Sequence, residues 1–306
     1  MSDSQDFATF EDVGIAERDK PPFIRLPEPR SMFGLRAMRF AALAPGHQLQ
    51  PYLAFLAALS TAQEQLTGVI APPAMPSLAE QRSRAANAMP LLPRMDLAED
   101  EATSACFAEL LVLLDEVIMP DLARAALNRA KTADTAARSA LFAVVLDDSV
   151  PAETAAEHIF AAAALQVVAA RRAAMLDDAL PQPVADGVCP CCGGPPVASA
   201  IVATANIEGV RYVQCSLCAT QWNHVRVKCV SCGSTKGIAY QAIEGIADTI
   251  KAETCDECRT YIKILNQRKD AELEPVADDV ASLGLDLLVS EAGWRRAGVN
   301  PFLLGY

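Results

Sequence analysis

Four Cys-x-x-Cys pairs in the second half of the chain are the residues best able to do chemistry. The pairs repeat with a constant offset of forty residues, and Gly193 and Gly233 each follow the second cysteine of a pair. Two such pairs supply the four sulfur ligands of one tetrahedral metal ion. The repeat therefore predicts two metal modules, each built from consecutive pairs. The predicted ligands are Cys189, Cys192, Cys215 and Cys218 in the first module and Cys229, Cys232, Cys255 and Cys258 in the second.

The stretch between the two pairs of each module is long enough for a short β-hairpin. It spans 22 residues, close to the spacing of zinc ribbons and rubredoxin-like folds. We expect strands at 199–204 and 209–214 in the first module and at 237–242 and 249–254 in the second. Neither module has the apolar mass to fold unaided. The ion, which contributes roughly 10 to 16 kcal/mol in zinc-finger peptides, would therefore serve as its core.

Other uses of paired cysteines fit the sequence less well. Residues 1–14 are acidic and polar and lack the features of a secretory signal, so we expect a cytoplasmic protein with reduced thiols instead of disulfides. Thioredoxin-type chemistry needs one pair at the start of a helix, whereas these pairs are duplicated and bracket hairpins. A second pairing, in which Cys189 and Cys192 share an ion with Cys229 and Cys232, is disfavoured by the repeat. Four thiolates suit Zn²⁺ and a single rubredoxin-type iron equally.

The remaining reactive side chains predict no catalytic site. Cys191 lies inside the first pair as a spectator, and Cys106 falls in an apolar helical stretch as a small buried hydrophobe. His224 is a weak candidate for a further ligand because the cysteine count is already complete, and His47 and His158 stand apart from any partner. The chain has no nucleophile and base pairing, Gly-rich phosphate loop or clustered acid pair. The sequence therefore does not indicate an enzyme.

The part of the chain before the cysteines has the composition of a helical domain. Hydrophobic residues make up 52% of the 306-residue chain and aromatic residues only 6%, which indicates an alanine-rich helical core. The most apolar run, 159–170, is short of the roughly 20 residues that cross a bilayer, so we expect no membrane span. Helical periodicity and proline positions set the predicted helices. They lie at 33–43, 49–67, 77–88, 99–118, 122–130, 135–146, 152–179 and 276–290.

The predicted fold is a mainly α N-terminal domain followed by two small β modules of rubredoxin-like or zinc-ribbon-like type. We place the helical domain at 1–182, the modules at 188–226 and 227–268, and a C-terminal helical tail at 269–306. The chain has a formal net charge of −12, and the module region carries eight Lys and Arg against six Asp and Glu before the thiolates are counted. Counterion release cannot drive strong binding to phosphates from such a surface. A protein partner is therefore favoured over nucleic acid.

A long signature surrounds the cysteine pairs. It reads YVQCSLCATQWNHVRVKCVSCGS at 212–234, TKGIAYQAIE at 235–244 and IKAETCDECRTYIKI at 250–264. The flanks add PPFIRLP at 21–27, LAPGHQL at 43–49, CPCCGGPP at 189–196 and DDVASLGLDLLVSEAGWRRAGVNPFLL at 278–304. Together these segments resemble the formate dehydrogenase accessory protein family over nearly the whole chain. The chain departs from the pattern at Cys191. In the family, the first Cys-x-x-Cys turn, or knuckle, usually carries one sulfur fewer.

The resemblance implies a bacterial cytoplasmic assembly chaperone that binds the catalytic subunit of respiratory formate dehydrogenase before export. It also implies that the eight paired cysteines hold two ions, iron more readily than zinc. The alternative is a rubredoxin-like iron protein that gives redox support to maturation of the same enzyme. Thr220, Trp222, Val225, Arg226 and Lys228 match the family motif as well. Spacing predicts a bridging strand at 225–228, where a partner contact and a simple packing role both stay open.

Overall fold

The computed structural model describes residues 20–203, 208–243 and 248–303. Residues 1–14, which lack signal features, and Thr204, the last residue of a predicted strand, lie outside these ranges. Within them, helices occupy the N-terminal part, as predicted, and the strands of the two predicted β modules follow as one mixed sheet. Both parts contribute to one large cluster of buried apolar side chains. No helix in the described ranges combines the length and apolar character needed to cross a membrane.

Local signals explain where most of the helices begin. Asp100 and Asp134 accept hydrogen bonds from the amides of Ala102 (2.7 Å) and Ala137 (2.8 Å), which cap two helices in the usual way. Prolines occupy the first turns of two others, where the missing amide costs nothing. The N-terminal helices are α1 Pro29–Leu43, α2 Gln50–Val69, α3 Leu78–Ala86, α4 Glu101–Leu113, α5 Asp121–Thr132, α6 Thr135–Leu146 and α7 Ala155–Ala174.

The alanine-rich helix α7 is the centre of the helical domain. It is buried on nearly all sides and contacts α2, α4, α5 and α6. Small alanine side chains let four helices approach it closely, and a helix that is apolar all round must be covered in this way. Two predicted helices are too long. Helix α4 stops at Leu113 instead of reaching Ile118, and α7 ends at Ala174 instead of Ala179.

Four of the five predicted strands are present, the one at 225–228 is not, and the described residues contain four strands that were not predicted. Two of the unpredicted strands are only two residues long and one has three residues, so they lack any periodic signal. The strands are β1 Ile24–Arg25, β2 Pro196–Ala203, β3 Glu208–Cys215, β4 Gln221–Asn223, β5 Ile238–Gln241, β6 Ile250–Cys255, β7 Thr260–Asn266 and β8 Arg295–Arg296.

All of these strands belong to one sheet with the order β1-β4-β3-β2-β7-β6-β5, and β8 pairs with β7. Each module contributes antiparallel strands, β2 with β3 and β6 with β7. The two modules join where β2 and β7 run parallel, with Ser199 opposite Ile264 and Ile201 opposite Asn266. The metal modules are therefore continuous with each other through backbone hydrogen bonds.

The C-terminal tail returns to the helical domain through ion pairs. Arg39 donates to the Asp278 carboxylate through Nε (2.8 Å) and Nη2 (2.7 Å), and Arg36 donates to Glu274 at 3.1 Å. The single predicted helix at 276–290 is in fact two, α8 Ala277–Ala281 and α9 Leu283–Glu291. The break falls at Ser282, whose hydroxyl donates to Asp278 O at 2.7 Å and competes with the helical backbone.

Candidate metal centres

The eight paired cysteines form two clusters, and the strands of the sheet position them. In each module the first pair precedes a hairpin, the third cysteine ends its second strand, and the fourth lies in the turn that follows. The side chains that come together are those of consecutive pairs, and the cross-module arrangement is not formed. The first cluster contains Cys189, Cys192, Cys215 and Cys218, and the second contains Cys229, Cys232, Cys255 and Cys258.

A left-handed residue follows the second cysteine of every pair. Gly193 and Gly233 have φ of 77° and 73°, and their amides donate to the carbonyl oxygens of Cys189 and Cys229. Ala219 and Arg259 take the same conformation, with φ of 58° and 56°. Non-glycine residues rarely do so. The sequence offered one signal for these two sites, since both stand at the position that glycine occupies in the other pairs.

The sulfur atoms have the spacing of ligands around an ion. Across the first cluster, Cys189 Sγ lies 3.6 Å from Cys218 Sγ, and Cys192 Sγ lies 3.5 Å from Cys215 Sγ. The corresponding distances in the second cluster are both 3.8 Å. A tetrahedral ion with metal–sulfur bonds of about 2.3 Å places its ligands about 3.8 Å apart, whereas a disulfide bond measures about 2.05 Å. Either cluster can hold one metal ion.

One cysteine in each cluster has a pKa lowered toward the thiolate form. The Thr260 hydroxyl lies 3.0 Å from Cys258 Sγ, and the Thr220 hydroxyl lies 3.2 Å from Cys218 Sγ. Burial raises the pKa of Cys258, but hydrogen bonds with the hydroxyl and amide of Thr260 oppose it, and the net pKa is lowered to about 7. The pKa of Cys218 also falls well below its usual value despite burial, because the thiol of Cys189 and its neighbours hydrogen-bond to it. Metal ligation requires this thiolate form.

The two clusters differ in their contact with water. All four cysteines of the first cluster are buried, whereas in the second Cys232 is exposed and Cys258 is half-buried. The first knuckle packs against the helical domain, where Leu92 donates its amide to Cys191 O at 2.8 Å. Gln166 of α7 donates at 2.7 Å to Ser216 O, which lies between Cys215 and Cys218 of the same cluster. The helical domain therefore covers one centre and leaves the other open.

The other sequence candidates lie outside both clusters. Cys191 is buried beside the first cluster, Cys106 is buried in the helical core, and burial raises the pKa of Cys106 to about 12. His47, His158 and His224 each hold a backbone carbonyl oxygen through a ring nitrogen, at 3.0, 2.6 and 3.0 Å. Burial, followed by the charge of a nearby arginine, lowers the pKa of His224. His158 and His224 thus stabilise the local backbone, whereas His47 contacts Ala281 of the C-terminal tail.

The predicted strand at 225–228 is wrong. This segment is a turn in which the Lys228 amide donates to Val225 O at 3.2 Å, and the short strand before it is β4. The reason is Arg211, a buried residue whose Nη1 donates to the carbonyl oxygens of Arg226 (3.3 Å) and Lys228 (3.4 Å). Because these two carbonyl oxygens accept hydrogen bonds from the guanidinium, they are not available to pair with a neighbouring strand. Arg211 also forms a bidentate ion pair with Glu253 of β6.

Models of one protein family match almost all of the chain. The N-terminal FdhE model matches residues 21–186, the central-domain model 188–226 and the C-terminal-domain model 227–303. The chain belongs to the FdhE family. This confirms the resemblance to the formate dehydrogenase accessory proteins that the sequence suggested.

Relatives and a solved structure agree over most of their length. A Protein FdhE homolog of Rhizobium meliloti is 45% identical over 290 residues, covering 94% of each chain. Protein FdhE of Escherichia coli is 32% identical over 307 residues, covering 96% of each. The crystal structure of the FdhE protein from Pseudomonas aeruginosa superposes with a TM-score of 0.81 at 32% identity, covering 92% of this chain and 99% of that one. The fold is thus that of an FdhE protein.

Proposed function

We propose that this FdhE-family protein is a non-catalytic, cytoplasmic chaperone for assembly of respiratory formate dehydrogenase. It binds the catalytic subunit of that enzyme before export, and each cysteine cluster holds one structural metal ion, with iron preferred over zinc. The observation that carries this proposal is the pair of sulfur clusters, in which the distances between sulfur atoms match those of tetrahedral ligands. Two such ions would make the sheet a rigid platform for recognition.

A small patch beside the second cluster is the surface that best suits this partner. Val225 and Val227 are 59% and 61% exposed on the turn that Arg211 supports, and Tyr240 on the edge strand β5 is 47% exposed. The Tyr240 hydroxyl lies 3.5 Å from Arg226 O, so turn and strand touch. Apolar and aromatic side chains grouped on a rigid frame are typical of protein-binding sites.

Side-chain burial separates the residues of the family motif into those that pack the sheet and those that can contact a partner. Thr220 and Trp222 are buried, so they pack the platform and cannot touch a partner directly. Arg226 is exposed, and Lys228 is half-buried in an ion pair with Asp186 at 2.7 Å. A partner contact at this site therefore falls on the turn, with Val225 and Arg226 as its outward members.

Pull-down of the catalytic subunit by the metal-loaded full-length protein tests the proposal. The double substitution Val225→Ser with Val227→Ser should weaken capture by about tenfold or more, because losing two apolar contacts costs about 1.4 kcal/mol or more. Val69→Ser is the matched control, since Val69 is 73% exposed at the end of α2, far along the chain from this patch. Unchanged capture by the double variant at normal ion content would contradict the proposed surface. Failure of the unsubstituted protein to capture the subunit would contradict the function.

A second candidate is a redox role, which the half-exposed second cluster favours. Electron exchange needs a centre near the surface, and Cys232 and Cys258 bring the second centre there. Replacing iron with Zn²⁺, which has no redox chemistry, separates the two roles. The chaperone role predicts that the zinc-loaded protein supports formate dehydrogenase activity nearly as well as the iron-loaded protein. The redox role predicts that zinc loading abolishes that support at an unchanged fold.

A further inference from the structure

Equivalent cysteines of the forty-residue repeat have opposite environments. Cys192 is 3% exposed, whereas Cys232, at the same position of the second module, is an exposed residue. Cys218 is fully buried, whereas its equivalent Cys258 is half-buried. The other two cysteines of the second cluster are buried. One edge of the second sulfur tetrahedron, between Cys232 and Cys258, therefore faces solvent.

The difference in exposure between the two clusters comes from the helical domain and not from the knuckles themselves. Carbonyl oxygens at Pro190 and Cys191 accept amides of Leu91 (3.4 Å) and Leu92 (2.8 Å), so a loop of the helical domain covers the first knuckle. The equivalent oxygens of the second knuckle belong to Val230 and Ser231. Neither accepts a backbone amide from any residue that the structure describes.

The groups that lie against the two knuckle turns differ in kind. A Cβ atom on Gly193 would meet Pro90 Cγ of the helical domain at 3.1 Å. On Gly233 it would meet the Asp186 carboxylate at 2.1 Å, from the linker that joins the helical domain to the first module. A proline ring of the helical domain lies against the first knuckle, whereas one half-exposed carboxylate paired with Lys228 lies against the second.

We propose that the second centre is a ligand-exchange site, at which an external thiol displaces Cys232 from the ion. This inference rests on the proposed occupancy of both clusters. The entering thiol binds through its sulfur as the bond from Cys232 Sγ breaks, and the proton of the entering thiol passes to Cys232 Sγ. No electron is transferred, so no oxidant is required. The class of ligand is a thiol, either small or presented by a partner protein, and the first centre is closed to it.

Exchange kinetics of the zinc-loaded full-length protein test this site. The chromogenic chelator 4-(2-pyridylazo)resorcinol collects released Zn²⁺, and 2-mercaptoethanol serves as the entering thiol. We expect Zn²⁺ to be released in two phases of one ion each. The second centre should release its ion at least about tenfold faster than the first, because the buried first centre must open locally before release. Only the fast rate should rise with the 2-mercaptoethanol concentration. Cys255→Ser should remove the fast phase, and Cys215→Ser, its repeat equivalent, should remove the slow one.

Alkylation of the unsubstituted zinc-loaded protein gives a second measurement that does not depend on how the variants fold. Iodoacetamide followed by mass spectrometry should label Cys232 first, and one Zn²⁺ should leave as it does so. A common release rate for both ions, no dependence on thiol, or early labelling of Cys192 would overturn the inference. Binding of fewer than two ions at the outset would instead count against the proposed function.

Discussion

Among the contacts between the two metal modules, the buried ion pair of Arg211 and Glu253 should be the one whose loss lowers stability most. Arg211 lies on β3 and Glu253 on β6, and β2 and β7 lie between them in the sheet. Their side chains are 0% and 3% exposed and meet through two hydrogen bonds of 2.8 and 2.9 Å. Arg211 also donates to Ser199 Oγ at 3.2 Å. We predict that Arg211→Met severely destabilises the protein.

The magnitude follows from what the substitution leaves behind. Methionine fills much of the arginine volume, so the main cost is a buried Glu253 carboxylate without its cation. Removing one partner of such a pair costs about 3 to 5 kcal/mol, a large part of the about 5 to 15 kcal/mol that stabilises a typical domain. The carbonyl oxygens of Arg226 and Lys228 also lose a donor, which loosens the turn directly before Cys229.

Urea unfolding of the metal-loaded protein, followed by circular dichroism, measures the effect. A second variant, Arg211→Met with Glu253→Leu, removes both charges, and such exchanges to apolar residues are often close to neutral. We expect it to recover at least about 2 kcal/mol relative to Arg211→Met alone. Lys251→Met is the control, because the Lys251–Asp248 pair is 37% and 54% exposed and should contribute less than about 1 kcal/mol.

Two results would refute this reasoning. If Arg211→Met lowers the free energy of unfolding no more than Lys251→Met does, the Arg211–Glu253 pair is not the buried charge pair that the structure indicates. If the double variant is as unstable as the single one, the cost lies in the backbone acceptors and not in the stranded Glu253 carboxylate. In either case the ion content of the second centre, measured on the same samples, shows whether the turn before Cys229 was disturbed.

Further predictions concern the centres themselves. Cys189→Ala and Cys255→Ala should each bind one ion fewer by elemental analysis, and Cys189→Ala should unfold at lower temperature because its cluster is part of the main core. Cys191→Ser should keep two ions, since the second module has serine at that position. Gly233→Ala should lower the free energy of unfolding by about 1 to 2 kcal/mol from its left-handed φ alone. The clash of the added Cβ with the Asp186 carboxylate should lower it further. Gly193→Ala, with the same φ penalty, should cost less because its nearest contact is 3.1 Å away. Removing both ions with a chelator should lower the melting temperature.

Each of these expectations has an outcome that would count against it. Two ions in Cys189→Ala would remove that residue from the ligand set, and one ion in Cys191→Ser would add Cys191 to it. Equal stability losses for the two glycine variants would mean that φ, and not the carboxylate, sets the cost. A chelated protein that melts at the same temperature as the loaded one would show that the clusters are not structural metal sites.

Sequence patterns were sufficient where the structure is local. The predicted helix 135–146 matches α6, because Asp134 gives a cap signal directly before an apolar run. Strand ends at 209–214 and 249–254 fall within a residue of β3 and β6. β7 was missed although TYIKILN is rich in β-branched and aromatic residues, so its signal was present. The turn at 225–228 could not be predicted, since Arg211 stabilises it from a distant position in the chain.

The spacing of the cysteines was enough to predict which sulfurs meet. A Cys-x-x-Cys turn fixes two ligands locally, and a hairpin of the right length returns the next two, so each cluster needs little information from elsewhere. The placement of the two modules in one sheet was decided by the tertiary structure, because the parallel pairing of β2 with β7 depends on backbone hydrogen bonds that carry no side-chain code. Tertiary structure also decided the unequal exposure of Cys192 and Cys232. The repeat makes the two knuckles alike, but the helical domain contacts the first knuckle through Leu91 and Leu92 and leaves Cys232 of the second exposed.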